Sequence, residues 1–407
     1  MHLGRGVQAI VPGLAWCRNW QTSLLPSSLP LKYMYMKRAC LTVIASLVVF
    51  SRLHSADFVP ETLPLGSSSP DFSLRAVDGH NYTLKDFAKA KILVIVFTCN
   101  HCPTSQYYEE RLKQIVIDYQ DKGVTLLAIM PNDPKSVRLD ELGWTDLSDS
   151  FEEMKIRAHD RHFNFPYLYD GDTESVAHAY GPVATPHAFV FDAARKLRYV
   201  GAIDDSERVQ HVEKHYLRDA LDALLADKEP AVTKTKVVGC SVKWSGKAES
   251  VKAYMDKLAA EPVSLMSADV EALRALRKNE SGKFRLVNFW ATWCAPCVAE
   301  FDEFIVINRM YRHRDFEVIT VAVNRPDEQS TVLRFLKQKQ ASCTNLIFAS
   351  TDREELINAF DPDWQGPVPF TVIIAPGGAI VYRATGSIEP LAIKRAIVKA
   401  LNDQKPW

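Results

Sequence analysis

Two pairs of cysteines with two-residue spacing are the residues best suited to do chemistry. Cys294 and Cys297 follow an apolar run at 286–290 that is typical of a buried strand, and a helical pattern begins after them. The amino end of a helix offers partial positive charge and free N–H groups, which favour thiolate over thiol. The second cysteine is then placed to attack a mixed disulfide. The pattern predicts thiol–disulfide exchange in which Cys294 attacks and Cys297 resolves.

A second pair, Cys99 and Cys102, has a similar setting. It follows a β-branched run at 91–97 that predicts a central buried strand, and a helical pattern continues after it. His101 lies between the two cysteines, and a cationic histidine stabilises a neighbouring thiolate. Because stabilising the reduced form makes a disulfide a stronger oxidant, we expect electrons to flow from the later pair toward this one.

Several other uses of paired cysteines fit the sequence less well. A disulfide at this spacing closes too short a loop to stabilise much, and a zinc site would need a further paired ligand set. Haem attachment needs a histidine directly after the second cysteine, where Pro103 and Val298 stand instead. We predict no resident metal and no cofactor.

Two alternatives to disulfide exchange stay open. Thiolates suit the soft ion Cu(I), and His101 or His187 could assist, which would give a copper-binding or redox-scaffold protein without turnover. A thiol peroxidase of the peroxiredoxin type carries a threonine three residues before its reactive cysteine. Val96 occupies that position here, which argues against peroxidase activity.

The composition is that of an ordinary globular protein. The chain has 407 residues, 47% hydrophobic and 24% charged, which favours two or three domains. Lysine plus arginine and aspartate plus glutamate number 49 each, so the charge balance gives no reason to expect a nucleic-acid partner.

Residues 36–56 have the pattern of a signal peptide. A short basic start leads into an apolar run at 39–50 and then into small residues. This run is shorter than the ~20 residues that a membrane span needs. We therefore predict export to the periplasm or another extracytoplasmic space, with an uncleaved signal that anchors the chain as the alternative. Residues 1–35 form an uncertain N-terminal extension, and we expect initiation at Met34 or Met36.

The order of elements around each cysteine pair predicts an α/β fold. A strand, a Cys-x-x-Cys turn, a helix and a further strand form a βαβ unit, which indicates a sheet with parallel strands. The same order occurs twice, so we expect a domain at 57–247, a linker helix at 248–262 and a second domain at 263–407. A helix at 209–226 is expected to close the first domain.

The later part of the chain resembles a known family. The stretch Phe-Trp-Ala-Thr-Trp-Cys-Ala-Pro-Cys at 289–297, and residues 263–405 around it, are similar to the TlpA-like thiol–disulfide oxidoreductases of the thioredoxin superfamily. The resemblance implies that Glu300 handles protons beside the disulfide and that Trp293 shields the site and contacts substrate. Asn288 departs from thioredoxin itself, which has a buried aspartate there, and Glu300 would substitute for it.

The earlier part, residues 60–246, resembles thioredoxin-like redoxins related to the AhpC/TSA group and marked by Cys-Asn-His-Cys-Pro. Besides that motif, four segments fit the group: 149–155, 165–170, 201–205 and 238–244. The resemblance implies that Cys240, in the last segment, is a third redox thiol that pairs transiently with Cys99. The alternative is a small buried hydrophobic residue.

Two prolines fit the position of the thioredoxin cis-proline. Pro186 and Pro369 each open a strand after the cysteine motif, and we predict that each follows a cis peptide bond and faces its cysteine pair. The backbone of the preceding residue, Thr185 or Val368, would then be free to pair with a substrate strand. These four residues, together with Trp293, are the expected substrate-binding residues.

Together the resemblances imply two thioredoxin-like domains, each a mixed central sheet flanked by helices. They imply an extracytoplasmic thiol–disulfide oxidoreductase with two Cys-x-x-Cys sites, acting in cell redox homeostasis and antioxidant defence. The expected partners are protein thiols and disulfides, together with a membrane or periplasmic electron donor.

Overall fold

The computed structural model describes residues 60–403. The predicted signal peptide at 36–56 and the extension at 1–35 lie outside the described residues. Within 60–403, no helix is both long and apolar enough to cross a membrane.

The strands of the first part form a five-stranded mixed sheet and two small paired ribbons. In chain order the strands are β1 (Ser73–Arg75), β2 (Asn81–Thr83), β3 (Ile92–Phe97), β4 (Val124–Met130), β5 (Tyr167–Tyr169), β6 (Ala184–Thr185), β7 (His187–Phe191), β8 (Leu197–Gly201) and β9 (Cys240–Ser241). The main sheet has the order β5-β4-β3-β7-β8, in which β3, β4 and β5 are parallel and β7 and β8 are antiparallel to their neighbours. β1 pairs with β2, and β6 pairs with β9.

Helices cover both faces of this sheet because its central strand is apolar on both sides. Val94 and Val96 of β3 pack into one core, whereas Leu93 and Ile95 pack into the other. The helices of this part are α1 (Pro103–Tyr119), α2 (Phe151–Asp160), α3 (Ser175–Tyr180) and α4 (Tyr216–Leu225), and α5 (Ala248–Ala259) follows.

The second sheet repeats the first and adds one strand. Its strands are β10 (Met266–Ala268), β11 (Phe284–Trp290), β12 (Phe316–Ala322), β13 (Thr344–Phe348), β14 (Phe370–Ile374) and β15 (Ile380–Thr385). The order is β10-β13-β12-β11-β14-β15, with the same sequence of parallel and antiparallel pairs as in the first sheet. The helices are α6 (Val270–Lys278), α7 (Ala295–Tyr311), α8 (Gln329–Gln338), α9 (Arg353–Phe360) and α10 (Pro390–Asp403).

The predicted fold class is confirmed, and two elements differ from the prediction. The helix expected at 209–226 is a single 3-10 turn at Val209–His211, and α4 begins only at Tyr216. Val209 is exposed, so the first part of that segment has no apolar face to bury. Strand β10 was not predicted, because a three-residue edge strand with an exposed Met266 carries no alternation to recognise.

A long connection after β4 joins the two sheets. Residues 131–149 leave the first sheet, and the side chains of Val137 and Leu142 pack into a core that also contains Met310 of α7. The hydroxyl of Tyr311, at the end of α7, donates a hydrogen bond of 2.7 Å to the carbonyl oxygen of Thr145. The segment that follows the first site's strand β4 is therefore packed against the helix that carries the second cysteine pair.

Candidate active sites

The two cysteine pairs sit in different positions relative to their helices. In the first site Cys102 is the N-cap of α1 and Pro103 is its first residue, so Cys99 lies outside the helix. In the second site Cys294 is the N-cap of α7, and Cys297 lies in the first turn. Because the helix dipole and the free N–H groups act on the cap, they favour the thiolate of Cys102 in the first site and of Cys294 in the second.

Cys102 is fully buried, and backbone groups and thiols contact its sulfur. Its sulfur accepts a hydrogen bond from the backbone N–H of Cys240 at 3.3 Å. Burial raises the pKa of the Cys102 thiol, but contacts with the thiols of Cys240 and Cys99 and with the backbone N–H groups of Ser105 and Cys240 outweigh burial and hold the pKa well below its usual range. Cys102 is therefore the thiol of this cluster that ionises first.

The pKa values of the other two thiols of the cluster are raised instead. The sulfur of Cys99 lies 3.0 Å from Thr185 Oγ1, and burial raises the pKa of Cys99 well above its usual range. The contact with Cys102 and then burial raise the pKa of Cys240. Cys102 thus contacts both of the other thiols. The sequence predicted Cys99 as the partner of Cys240, but Cys240 contacts Cys102.

A buried aspartate holds the turn between Cys99 and Cys102. Asp149 Oδ1 accepts hydrogen bonds from the backbone N–H groups of Asn100 and His101, at 3.0 and 3.1 Å. Asp149 Oδ2 lies 2.5 Å from His101 Nδ1 and accepts from Asn132 Nδ2 at 2.7 Å. The sequence reading did not assign Asp149 to the site, although it begins one of the segments that match the redoxin group.

The contact between His101 and Asp149 favours the charged form of each side chain. Burial lowers the pKa of His101, but the Asp149 carboxylate and then Cys102 outweigh it, so the pKa of His101 is raised. Burial alone would raise the pKa of Asp149, but His101 and Asn132 lower it. A cationic His101 next to Cys102 favours the thiolate further.

The two histidines considered as copper ligands, His101 and His187, have different surroundings. One ligand atom from each of Cys99, His101 and Asp149 lies within 4.8 Å of the other two, and His101 Nε2 has no hydrogen-bond partner among residues 60–403. His187 is placed differently, because its Nδ1 accepts from the Val183 N–H at 3.3 Å and burial lowers its pKa to about 3. His187 is therefore a packed, neutral strand residue.

Both predicted prolines follow cis peptide bonds, Thr185–Pro186 and Val368–Pro369. Beside the first of these prolines, another segment of the same chain pairs with the backbone of Thr185. Thr185 in β6 is paired antiparallel with Cys240 in β9, and Thr185 is fully buried. The backbone that was expected to be open for a substrate strand is occupied by residues of the same chain.

The second site has no chain segment paired beside its disulfide within the described residues. Cys294 and Cys297 are disulfide-bonded, and the backbone N–H of Cys297 donates to Cys294 Sγ at 3.3 Å. Cys294 Sγ lies 3.6 Å from the carbonyl oxygen of Val368, and in the part of the chain that the structure describes no strand pairs with Val368. Trp293 is 57% exposed next to the disulfide, so its indole is available for contact with a partner.

Glu300 lies one turn of α7 after Cys297. Its Oε2 accepts a hydrogen bond from the backbone N–H of Ile388 at 2.8 Å, whereas its buried Oε1 has no partner within the described residues. Burial raises the pKa of Glu300. Asn288, at the position of the thioredoxin aspartate, is buried and donates to Thr371 Oγ1 at 3.0 Å. Glu300 is thus a carboxyl group one turn from Cys297 whose burial favours the protonated form.

A cavity of about 450 Å³ adjoins the first site. It extends from Pro186 and the first turn of α1 toward the segment after β8. Its lining includes Thr104, Tyr108, Pro186, Asp204, Lys236 and Val238. The lining mixes apolar and charged side chains, and the cavity lies beside the chain segment that precedes Cys240.

Comparison with known families gives two matches that do not overlap. The profile of the AhpC/TSA family matches residues 65–200. The profile named Redoxin matches residues 263–400. Each match contains one cysteine pair and one cis-proline.

Curated relatives carry names from disulfide chemistry. The chain is 30% identical over 120 residues to "Thiol-disulfide oxidoreductase ResA" of Bacillus subtilis. The matched region covers 30% of this chain and 63% of that protein. The chain is 27% identical over 143 residues to "Thiol:disulfide interchange protein CycY" of Rhizobium leguminosarum, which covers 35% of this chain and 70% of that protein. The chain thus spans less than two thirds of the length of the Bacillus relative.

Among solved structures, an uncharacterized conserved protein from Geobacillus kaustophilus is 38% identical to this chain. The match covers 46% of this chain and 94% of that protein, with a TM-score of 0.41.

Proposed function

Because the chain belongs to the thioredoxin-like proteins, with an AhpC/TSA-family domain and a redoxin domain in tandem, we propose that it is an extracytoplasmic thiol–disulfide oxidoreductase with two Cys-x-x-Cys sites. The observation that carries the proposal is that each cysteine pair lies at the amino end of a helix, α1 or α7, and against a cis-proline. We assign the first domain to 57–247, the linker helix to 248–262 and the second domain to 263–407.

At the second site the disulfide is the oxidised form of the catalyst. A client thiolate attacks Cys294 Sγ, a mixed disulfide forms, and the electron pair of the broken bond leaves on Cys297 as thiolate. A second client thiolate then releases the oxidised client and reduced Cys294. A client strand pairs with the free backbone of Val368, and Trp293 contacts the client. Glu300 supplies or accepts the proton of the Cys297 thiol.

At the first site Cys102 is the thiol that reacts as thiolate, and Cys99 is its partner. The helix cap, the Cys240 N–H and cationic His101 all stabilise the reduced form of this pair. A stabilised reduced form makes the Cys99–Cys102 disulfide the stronger oxidant. We therefore propose that electrons flow from Cys294 and Cys297 toward Cys99 and Cys102.

The activity is tested by dithiothreitol-dependent reduction of insulin. We expect turnover by the full chain, a loss of most turnover in Cys294→Ser, a partial loss in Cys102→Ser, and unchanged turnover in Cys343→Ser as the matched control. Equal turnover in all four proteins would contradict the assignment of the sites.

The direction of electron flow is tested by redox titration of two full-length variants. One carries Cys294→Ser and Cys297→Ser, and the other carries Cys99→Ser and Cys102→Ser. We expect the first variant, which keeps the first site, to have the higher reduction potential. Equal potentials, or the reverse order, would overturn the proposed direction.

Partners and location need their own measurements. Cys297→Ser leaves Cys294 unable to resolve a mixed disulfide, so partners trapped on it can be identified by mass spectrometry. We expect thiol proteins of the extracytoplasmic space, including the electron donor.

N-terminal sequencing of the exported protein tests the signal at 36–56. An intact residue 36 in an envelope fraction would favour an anchored protein, and recovery in the cytoplasm alone would contradict export.

Cu(I) binding is the second candidate, and the three-thiol cluster of Cys99, Cys102 and Cys240 is the observation in its favour, since thiolates suit Cu(I). Stoichiometric Cu(I) binding that is lost in Cys102→Ser, in a protein that does not reduce insulin, would support this candidate over the first.

Val96, where peroxiredoxins have threonine, is a buried residue of β3. Thiol peroxidase activity is therefore the least supported alternative.

A further inference from the structure

A chain segment lies along the edge of the first sheet and ends over the first site. We call residues 233–243 the strap. At its start, the Val200 N–H of β8 donates to the Thr233 carbonyl at 3.0 Å. At its end, Lys243 is buried, and its Nζ donates to Glu141 Oε1 at 2.6 Å. The strap is therefore tied to the sheet at one end and to the connection between the two sheets at the other.

Between these ties the strap crosses the cis-proline. Cys240 pairs antiparallel with Thr185, in the manner in which a substrate strand pairs beside a disulfide. A Cβ on Gly239 would lie 2.0 Å from the Thr185 carbonyl oxygen, and Gly239 has a φ of +154°. Only glycine permits this close approach. Val368, the equivalent residue of the second site, has no such cover within residues 60–403.

The strap also places a cysteine where a client cysteine would react. The Cys240 N–H donates to Cys102 Sγ at 3.3 Å, and the two thiols are in contact. Cys102 Sγ also lies 3.3 Å from the Thr185 carbonyl oxygen, so the sulfur faces the paired backbones. The thiol of Cys99 also contacts Cys102. One sulfur is thus within reach of two alternative partners.

We propose that the strap is a built-in pseudo-substrate of the first site, and that Cys240 exchanges disulfides with the Cys99–Cys102 pair through Cys102. The proposal rests on the redox role proposed for that pair. A client strand cannot pair with Thr185 until the strap leaves, so the strap decides when the first site accepts a protein client.

The exchange needs no external oxidant once the Cys99–Cys102 disulfide exists. The Cys240 thiol loses its proton, and its sulfur attacks Cys102 Sγ. The Cys102–Cys240 bond forms, and the Cys99–Cys102 bond breaks. The electron pair leaves on Cys99, which takes up a proton, so one disulfide and one thiol are present before and after. The product holds the strap covalently over the cis-proline and leaves Cys99 as the free thiol.

The covalent step is tested in the full chain with Cys294→Ser and Cys297→Ser, so that only the first site reports. After oxidation by diamide, free thiols are alkylated and peptides are mapped without reduction. With Cys99→Ser added, we expect a Cys102–Cys240 disulfide and a free, alkylated Cys343. Free Cys102 and Cys240 after oxidation, or equal pairing of Cys240 with Cys343, would overturn the exchange.

The same experiment separates this inference from the proposed function. If the protein that retains Cys99 forms a Cys99–Cys102 disulfide but Cys99→Ser forms no Cys102–Cys240 bond, the inference fails and the redox role of the pair stands. If Cys99 and Cys102 do not oxidise while Cys294 and Cys297 of the unchanged protein do, the proposed role of the first site fails.

The cover itself is tested by Gly239→Ala, whose new methyl group would meet the Thr185 carbonyl. Gly282→Ala is the matched control, because a Cβ there meets nothing within 4 Å. We expect Cys102 in Gly239→Ala to react with a bulky maleimide about tenfold faster than in the unchanged protein, and no change in Gly282→Ala. An unchanged rate in a folded Gly239→Ala protein would overturn the pseudo-substrate role.

A second variant keeps the test decisive if Gly239→Ala does not fold. Lys243→Met keeps the apolar stem and removes the Nζ tie to Glu141. We expect the same faster alkylation of Cys102. If Lys243→Met folds and Cys102 remains as slow as in the unchanged protein, the strap does not control access to the site.

Discussion

The backbone N–H of Cys240 donates a hydrogen bond to Cys102 Sγ at 3.3 Å, across 138 residues of sequence. This bond joins the strap to the one thiol of the first site that caps a helix. The same contact therefore stabilises the Cys102 thiolate and holds the strap against the residue before the cis-proline. The second site differs, because within residues 60–403 no strand pairs with Val368 beside Cys294.

We expect Cys102 to ionise at lower pH than Cys99, because hydrogen bonds outweigh burial only at Cys102. In a chain with Cys294→Ser and Cys297→Ser, ultraviolet thiolate absorbance should show a titration step below the ordinary cysteine range of about 8.5. The step should disappear in Cys102→Ser and persist in Cys99→Ser. Loss of the step in Cys99→Ser alone would reverse the assignment of the reactive thiol.

We expect Asp149→Asn to lower the free energy of unfolding by about 3–5 kcal/mol, the cost of breaking a buried ion pair by removing one partner. Asp149 holds two backbone N–H groups of the cysteine turn in addition to His101. Asp172→Asn is the control, because its pair with Arg75 is exposed and worth ~0.2–1 kcal/mol. Urea melts measure both, and similar losses in the two variants would contradict the clamp.

The His101–Asp149 pair also predicts a pH dependence. His101 has a raised pKa in the folded state, so its contribution is fully present below its unfolded pKa of about 6.5 and is lost as pH rises through the raised value. Asp149 has a lowered pKa, so its contribution is present above an unfolded value of about 3.9 and is lost as pH falls through the lowered value.

His101→Gln should therefore remove the fall in stability on the alkaline side. Urea melts at a series of pH values on either side of the raised pKa compare the variant with the unchanged protein. His80, which is exposed, gives the control His80→Gln. A slope that persists unchanged in His101→Gln, or one that disappears in His80→Gln, would count against the pair.

Local pattern was enough to predict the elements that carry the chemistry. The β-branched run before Cys99 and the apolar run before Cys294 became β3 and β11, because a strand covered on both faces is apolar throughout. The prolines at 186 and 369 were placed by their order after the motif, and both peptide bonds are cis. Fold class and tandem repetition follow from these elements.

The parts of the first site that local sequence pattern did not predict depend on contacts between residues far apart in sequence. Asp149 lies 48 residues after His101. The only indication of its role in the sequence is that it begins a segment similar to the redoxin group. The two-residue spacing of the cysteines does not decide which of them caps the helix, because this depends on where the helix begins. Helix α1 begins at Pro103, directly after the second cysteine of its pair, whereas α7 begins at Ala295, directly after the first. The cover over Thr185 needs Gly239 to approach a carbonyl, which sequence alone does not reveal.

We expect Glu300→Gln to slow the resolving step of the second site without unfolding the protein. Burial raises the pKa of Glu300, so the folded state favours the protonated form, and stability is lost as pH rises through the raised value. Glutamine is always neutral, so the variant should show a flatter stability profile together with a slower release of trapped mixed disulfide. Asp302→Asn, on the exposed side of the same helix, is the control. Equal resolution rates in Glu300→Gln and the unchanged protein would assign Glu300 a structural role only.

The hydroxyl of Tyr311 joins α7 to the connection between the two sheets. Tyr311→Phe removes the hydroxyl that donates to the buried Thr145 carbonyl, which would cost about 1–3 kcal/mol because the carbonyl is left without its donor. The loss should be local, so hydrogen exchange should quicken across residues 131–149 and stay slow in β3. Tyr107→Phe changes an exposed ring and should alter stability by less than ~0.5 kcal/mol. Because Asp149 ends this connection and holds His101, faster exchange should be accompanied by faster alkylation of Cys102. Faster exchange with unchanged alkylation would show that the contact between the sheets does not influence the first site.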